Sequence, residues 1–444
     1  MTSLQRLLSV SLAVGAAWAA ATGAQAQSLA ELAQLARGYD APWQAAKAQY
    51  EAAASRAEQA RAGLLPSAAL TGSASYGRTD VSRPPIDLHA PTQTLGVAAS
   101  QPLYRPANRI TFEQGQRGVD LARAQLDGAE QDLLVRVSQA YFDVLAAQDT
   151  LAFVQAQKAA VGEQLAAARR NFEVGNATVT DSREAQARHD LVVAQEIAAE
   201  NDLRVKRLAL DQLVGRAGTA PLPLAQPVAL PAVQPADVGT WVRTAEDTQP
   251  LVRQAALALD VARLETRKAE TGHLPTVDLQ AGYTVQRTPN GTVTLPGIHS
   301  RANVASVGVA LNLPLFAGFA VQNRVKETLS LEEKAQADLD NARRSAAQAA
   351  RAAFFGVQSG LGQVNALQAA EASTQSALDA NLLGYQVGVR INIDVLNAQS
   401  QLYQTKRDLA QARYNVLTGS LRLKQAAGTL TADDLLAIDA LLAR

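Results

Sequence analysis

The chain of 444 residues is written twice. Gly63-Leu64-Leu65-Pro66 returns as Gly272-His273-Leu274-Pro275, and Gln101-Pro102-Leu103-Tyr104 as Leu313-Pro314-Leu315-Phe316. Ala140-Tyr141-Phe142-Asp143-Val144 returns as Ala353-Phe354-Phe355-Gly356-Val357. Phe172-Glu173-Val174-Gly175, followed by Asp181, returns as Tyr385-Gln386-Val387-Gly388, followed by Asp394. Pro275 follows Pro66 by 209 residues, Pro314 follows Pro102 by 212, and Ala353 and Asp394 follow Ala140 and Asp181 by 213 each. Ordered, near-constant offsets mean a duplicated structural unit. The copies span 27–218 and 238–430, with a connector over 219–237 and a C-terminal tail over 431–444. Pro221, Pro223, Pro227, Pro231 and Pro235 keep the connector out of a helix.

Within each copy the hydrophobic period changes at a proline. Before Pro66 and Pro275 it is helical; after each it becomes strict alternation. Ala68, Leu70, Gly72, Ala74 and Tyr76 share one face, and Ser67, Thr71, Ser73 and Ser75 the other. Leu95, Val97, Ala99 and Leu103 repeat the pattern, as do Val277, Leu279, Ala281, Tyr283 and Val285, then Val307, Val309, Leu311 and Leu313. Period two predicts strands over 67–79, 93–103, 276–288 and 302–313, each with one apolar face. A length of about ten residues suits a tilted membrane-crossing strand. An open four-stranded sheet leaves edge groups unpaired in lipid, so closure needs further copies of the chain. Three copies give twelve strands. The joining segments, 80–91 and 289–301, read as polar loops. His89 and His299 fall there and read as surface histidines rather than metal ligands.

From 107 to 171 there is no proline, and Val119, Leu126, Leu133, Ala140, Ala147, Val154, Val161 and Ala168 recur every seven residues. A sustained heptad predicts coiled-coil packing, in a helix of roughly 95 Å at ~1.5 Å per residue. A second long helix is predicted over 318–383, with shorter ones over 29–65, 181–215, 238–272 and 393–427. Stacked end to end, two short helices match one long one. The fold class is therefore mainly α with a small transmembrane β part, built on a duplicated helix-strand-strand-helix-helix unit. Tyr141, Phe142, Phe354 and Phe355 read as interhelical packing.

Lys plus Arg and Asp plus Glu number 41 each, so nothing asks for a nucleic-acid partner. There is no cysteine, which excludes disulfides, Cys-ligated metal and a lipidated cysteine. Residues 1–26 read as a signal peptide: Arg6, the apolar run Leu7 to Ala21, then the small-x-small triplet Ala24-Gln25-Ala26. The histidines, His89, His189, His273 and His299, are scattered, and no nucleophile elbow, phosphate loop or dinucleotide fingerprint is present. Neither an enzyme nor a cofactor is expected.

The paired Val-Gly-x5-Asp segments ending at Asp181 and Asp394, the proline-bounded strand pairs, and the stretch from Tyr414-Asn415-Val416-Leu417 to Ala427-Gly428-Thr429-Leu430 resemble the TolC-like outer membrane efflux proteins. The resemblance implies a homotrimer whose 12-stranded barrel sits in outer-membrane lipid and continues as a long α-helical coiled-coil barrel in the periplasm. It implies a periplasmic adaptor protein and an inner-membrane ABC or proton-driven transporter as partners. The function implied is passive export, of protein by type I secretion or of small molecules by efflux. The absent cysteine and compact tail resemble type I secretion ducts more than lipidated drug ducts. The family closes its periplasmic end with side-chain links, which map here to Tyr385 and Arg390 bonding Asp181, with Arg390 also reaching Thr180. Asp394 is implied to face the pore, and Asn397 stands where the family often has a second acid. A plainer reading of the same residues has Asp181 and Glu184 as a capping box and Gly175 and Gly388 as helix C-caps. The alternative for the whole chain is a non-conducting trimeric coiled-coil structural protein or adhesin.

Overall fold

The structure is a computed structural model that describes residues 27–83, 85–175, 177–225 and 227–443. The segment read as a signal peptide, 1–26, lies outside them. The elements in order are α1 (Leu29–Tyr39), α2 (Ala41–Ala62), β1 (Ser67–Ser82), β2 (Pro85–Tyr104), α3 (Pro106–Glu173) and α4 (Val179–Val214). The second copy supplies α5 (Val238–Thr248), α6 (Pro250–Glu270), β3 (Thr276–Thr288), the short β4 (Gly291–Thr292) and β5 (Leu295–Pro296), β6 (Ser300–Asn312), α7 (Ala320–Gln386) and α8 (Asn392–Ala426). A last helix, α9 (Ala432–Asp439), follows. They form two units: one takes the described residues up to Ala46, 127–250 and 343 onward, the other 47–126 and 251–342.

The second of these units carries a four-stranded antiparallel sheet in the order β1-β2-β3-β6. Its register places Leu70, Val97, Tyr283 and Ala305 in one row across the strands, and Ala68, Ala99, Ala281 and Val307 in another. Directly paired residues share a face, so the alternating apolar residues of all four strands meet on one side. That side is uncovered in the single chain: Leu70 is 71% exposed and Val307 79%.

The first hairpin is longer than its polarity predicts. β1 and β2 stay paired from Ser67↔Ser100 to Ser82↔Pro85, so most of the segment read as a loop is strand. The polar extension is held across the strands, where Arg78 Nε and Nη2 donate to the Asp87 carboxylate at 3.0 and 2.9 Å. His89 accordingly lies in β2, stacked on Tyr76 with ring centroids 6.2 Å apart. His299 stays in irregular chain before β6.

In the other unit the sevenfold stripe of α3 is used as a packing surface. Leu133, Ala147, Val154, Val161 and Ala168 are buried. α8 has two such stripes side by side. Val395, Leu402, Leu409, Val416 and Leu423 face α7 residues that include Phe354, Val357, Val364 and Leu378. Leu396 joins Val154, Val161 and Ala168 of α3 and Ala185 and Val192 of α4, while Leu417 and Leu421 pack on the upper part of the α3 stripe. One helix thus ties the α3–α4 pair to the α7–α8 pair. Tyr141, Phe142 and Phe354 pack between helices as expected. Phe355 does not and is 53% exposed, because one residue on a helix turns the side chain ~100° away from the α8 contact.

Two helices expected to be continuous are broken. The first stops at Asp40 and the second at Gln249, just ahead of Pro42 and Pro250, whose rings are tolerated only in a first helical turn. Asp40 starts α2 by accepting from Trp43 N at 3.0 Å. Its carboxylate, on a residue only 5% exposed, also takes a bidentate pair from Arg136 of α3 at 2.8 and 2.9 Å. Those hydrogen bonds hold its pKa below the usual carboxylate range against the opposing effect of burial. A depressed carboxylate pKa stabilises the fold above the unfolded value of ~3.9, and the contribution is lost as pH falls through the folded one. Asp40→Asn is expected to cost about 2 kcal/mol at neutral pH, since it leaves Arg136 without its buried partner. Thermal midpoints should show a gap between variant and wild type that is complete above about pH 5 and closes as pH falls below about 4, through the lowered folded value; a gap independent of pH would mean the ion pair is not its source.

Candidate gate at the helix tips

The α3–α4 and α7–α8 pairs each end in a tight turn. At the first, Val174 N donates to Arg170 O at 3.1 Å and Gly175 N to Phe172 O at 3.0 Å. At the second, Gly388 N donates to Tyr385 O at 3.2 Å and Val389 N to Gly384 O at 2.9 Å, the paired bonds of a Schellman motif. Gly175 and Gly388 both have φ of 79°, where a side chain is strained, so the duplicated glycines follow from backbone geometry.

Four side chains implied as gate links lie on these turns, and within the chain they do not bond one another. Asp181 is the third residue of α4. Its Oδ2 accepts from Thr178 N at 2.9 Å and Thr178 Oγ1 at 2.7 Å, while Asp181 N donates back to Thr178 Oγ1 at 3.2 Å. The capping box is therefore Thr178 with Asp181, one turn earlier than an Asp181–Glu184 box, because Thr178 is the residue with extended backbone before the helix. Thr180 is exposed on the same turn. Tyr385 packs half-buried against Leu378, Val395 and Leu402, and its hydroxyl accepts from Asn171 Nδ2 at 3.2 Å. Arg390 leans toward Asp394, Nη1 to Oδ2 at 3.7 Å, with its side chain 58% exposed. The Asp181 carboxylate is thus occupied by its own helix, and its two implied partners by neighbours in the chain.

Asp394 lies in the first turn of α8, which has no side-chain cap. Asn397, one turn on, accepts from Arg188 Nη2 of α4 at 2.9 Å. A positive charge therefore stands beside the position where the family often has a second acid.

Three contributors were not singled out in the sequence. Thr178 was legible as the start of a Thr-x-x-Asp box. Asn171 and Gly384 were not. A Cβ on Gly384 would lie 2.6 Å from Arg390 Cγ and 3.3 Å from its Cβ, so this helical glycine exists to let the Arg390 side chain pass. Among the described residues no helix is long and apolar enough to cross a membrane, and no group of three or more His, Cys, Asp or Glu could hold a metal.

The family model described as outer membrane efflux protein matches residues 32–216 and 241–429, one segment in each copy. The outer membrane protein TolC of Vibrio cholerae is 32% identical over 94% of this chain and 94% of its own length. The proteases secretion protein PrtF of Dickeya chrysanthemi is 30% identical over 94% of this chain and 91% of its own. Among solved structures, the Vibrio cholerae outer membrane protein VceC superposes with a TM-score of 0.77 at 20% identity, covering 90% of this chain and 96% of that one. The outer-membrane channel OprN gives 0.79 at 18% identity, covering 90% of each. At these identities the structures speak for the fold, and the sequence matches for kinship. The chain belongs to the outer membrane efflux protein family, whose members are channels of the outer membrane and not enzymes.

Proposed function

We infer that three copies of this chain close into an exit duct through which an energised inner-membrane transporter and a periplasmic adaptor pass their substrate. The observation that carries this reading is the sheet. Among the described residues its apolar face is bare, and its outer strands β1 and β6 have no neighbour on one side. Because β1 and β6 are antiparallel in an even-numbered sheet, β6 of one copy can pair with β1 of the next and keep every junction antiparallel. Three copies would make twelve strands, within the range of outer-membrane barrels. A non-conducting coiled-coil spacer would need no such sheet.

The tips support gating. Exposed ion pairs of the Arg390–Asp394 kind are worth about 0–1 kcal/mol, so little opposes a change of partner. Asp181 keeps Oδ1 and Tyr385 keeps its hydroxyl proton for a further bond. In the closed duct we place Tyr385 on Asp181, and Arg390 on Asp181 and Thr180, where a bidentate pair outweighs the one it replaces. Val174, Val179, Val387, Val389 and Ile391 are more than half exposed around the tips and suit a docking protein that pulls them apart. The kinship with TolC and with PrtF, named for protease secretion, leaves export of protein or of small molecules to the transporter that docks.

Single-channel recording in planar bilayers tests duct and gate together. The wild type should give small steps, and Tyr385→Phe with Arg390→Ser steps several-fold larger; absence of any conductance returns the chain to the adhesin reading. Gly384→Ala should open the channel to a similar degree, because its methyl group displaces Arg390 without removing it. Reversal potentials in a salt gradient address the constriction. Asp394→Asn should lower cation selectivity at least about twofold, whereas Asn397→Asp should raise it little, since Arg188 already sits 2.9 Å away and neutralises the new charge.

A further inference from the structure

Where arginines of the helical unit are wedged between helices, a carboxylate commonly faces them. Arg136 takes Asp40 and Asp132, and Arg37 takes Glu130. Arg188 of α4 and Arg407 of α8 instead face neutral amides, as Arg169 and Arg422 also do, but these two share one cavity. Arg188 donates to the side-chain oxygen of Asn397 at 2.9 Å. Arg407 donates from Nη1 to Gln157 Oε1 at 3.1 Å and from Nη2 to Gln404 Oε1 at 2.8 Å. All three acceptors are neutral amides. They orient the guanidinium planes, and among the described residues no carboxylate lies within salt-bridge distance of either arginine.

The two arginines line one cavity of about 450 Å³, together with Gln157, Gln195, Asn397 and Gln404, and none of its lining side chains is acidic. A guanidinium has five N–H donors, so Arg188 and Arg407 retain several for a further acceptor. Burial works against the Arg407 cation and draws its pKa below the usual value, opposed by the weaker pull of Asp408. Asp408 is itself taken by Gln404 Nε2, at 2.7 Å. A desolvated cation held by neutral oxygens gains most from a planar anion that accepts two hydrogen bonds at once.

We propose that this cavity between α3, α4 and α8 is a binding site for a carboxylate, gripped by Arg188 and Arg407. The carboxylate comes from one of two sources: a free oligocarboxylate anion, or the aspartate or glutamate side chain of a protein laid along α4 and α8. The site does not rest on conduction, and its test needs no bilayer, so failure of one reading leaves the other standing.

Isothermal titration of the detergent-solubilised full chain provides that test, with citrate and N-acetyl-glutamate amide as probes and sodium chloride at matched ionic strength as the blank. Saturable binding of either probe is expected, weakened at least about tenfold by Arg188→Gln or Arg407→Gln. Arg407→Lys, which keeps the charge but loses the fork, should fall between, and circular dichroism verifies that each variant keeps its helices. Tighter binding of citrate points to a free anion; equal or tighter binding of the capped glutamate points to a protein side chain. Heats no larger than those of chloride, or affinities untouched by both glutamine substitutions, overturn the proposal.

Discussion

Hydrocarbon offers a peptide group nothing to bond to, and the sheet of this chain can be understood from that constraint. A helix satisfies its own backbone and asks only that its apolar stripe be covered. A sheet satisfies its interior strands and leaves two edges open. The chain contains both solutions. Its helices cover one another through stripes such as Val395, Leu402, Leu409, Val416 and Leu423, each at most 3% exposed. Its sheet instead presents Leu70, Val309 and Leu311 bare, at 71%, 63% and 68%, on four strands whose edges nothing pairs among the described residues. The same physical demand that finishes the helical packing inside one copy sends the sheet outside it for partners.

How much of this could be read from the residues depended on whether a signal was local. The four strands announced themselves because alternation needs only a handful of neighbours to be seen. The polar extension of the first hairpin did not: its strands are held by the cross-strand pair of Arg78 and Asp87, and polarity alone assigns such residues to a loop. The breaks at Asp40 and Gln249 had a visible cause in Pro42 and Pro250. The partner that gives Asp40 its energetic weight, Arg136, lies 96 residues away and left no trace in the pattern. At the tips, Gly175 and Gly388 could be placed by their need for positive φ. Gly384 could not, since the Arg390 side chain that crosses it is set by the turn that follows.

The tips also differ from the interior in how firmly they are held. Asp40 and Arg136 meet at 2.8 and 2.9 Å with the carboxylate almost fully buried. Arg390 and Asp394 stand 3.7 Å apart in solvent. The first kind of pair fixes a fold; the second can be exchanged for a better one at little cost. A switch needs two arrangements close in free energy, so weak pairing at the tips belongs to the proposed mechanism as much as any strong bond.

Duplication made two tips, and the differences between them suggest which one moves. The first carries Asp181, the acceptor of the proposed links, and begins its second helix in a complete capping box with Thr178, a device worth about 1 kcal/mol. The second carries the proposed donors and begins α8 at Ile391, which offers no side-chain cap. Its turn is bracketed by Gly384 and Gly388, and Val389, Arg390 and Ile391 are all exposed. If the proposed links form, an anchored acid would meet a looser arginine, an asymmetric latch. In the proposed gate, such a latch would have the α7–α8 turn swing and the α3–α4 turn serve as the post it closes against.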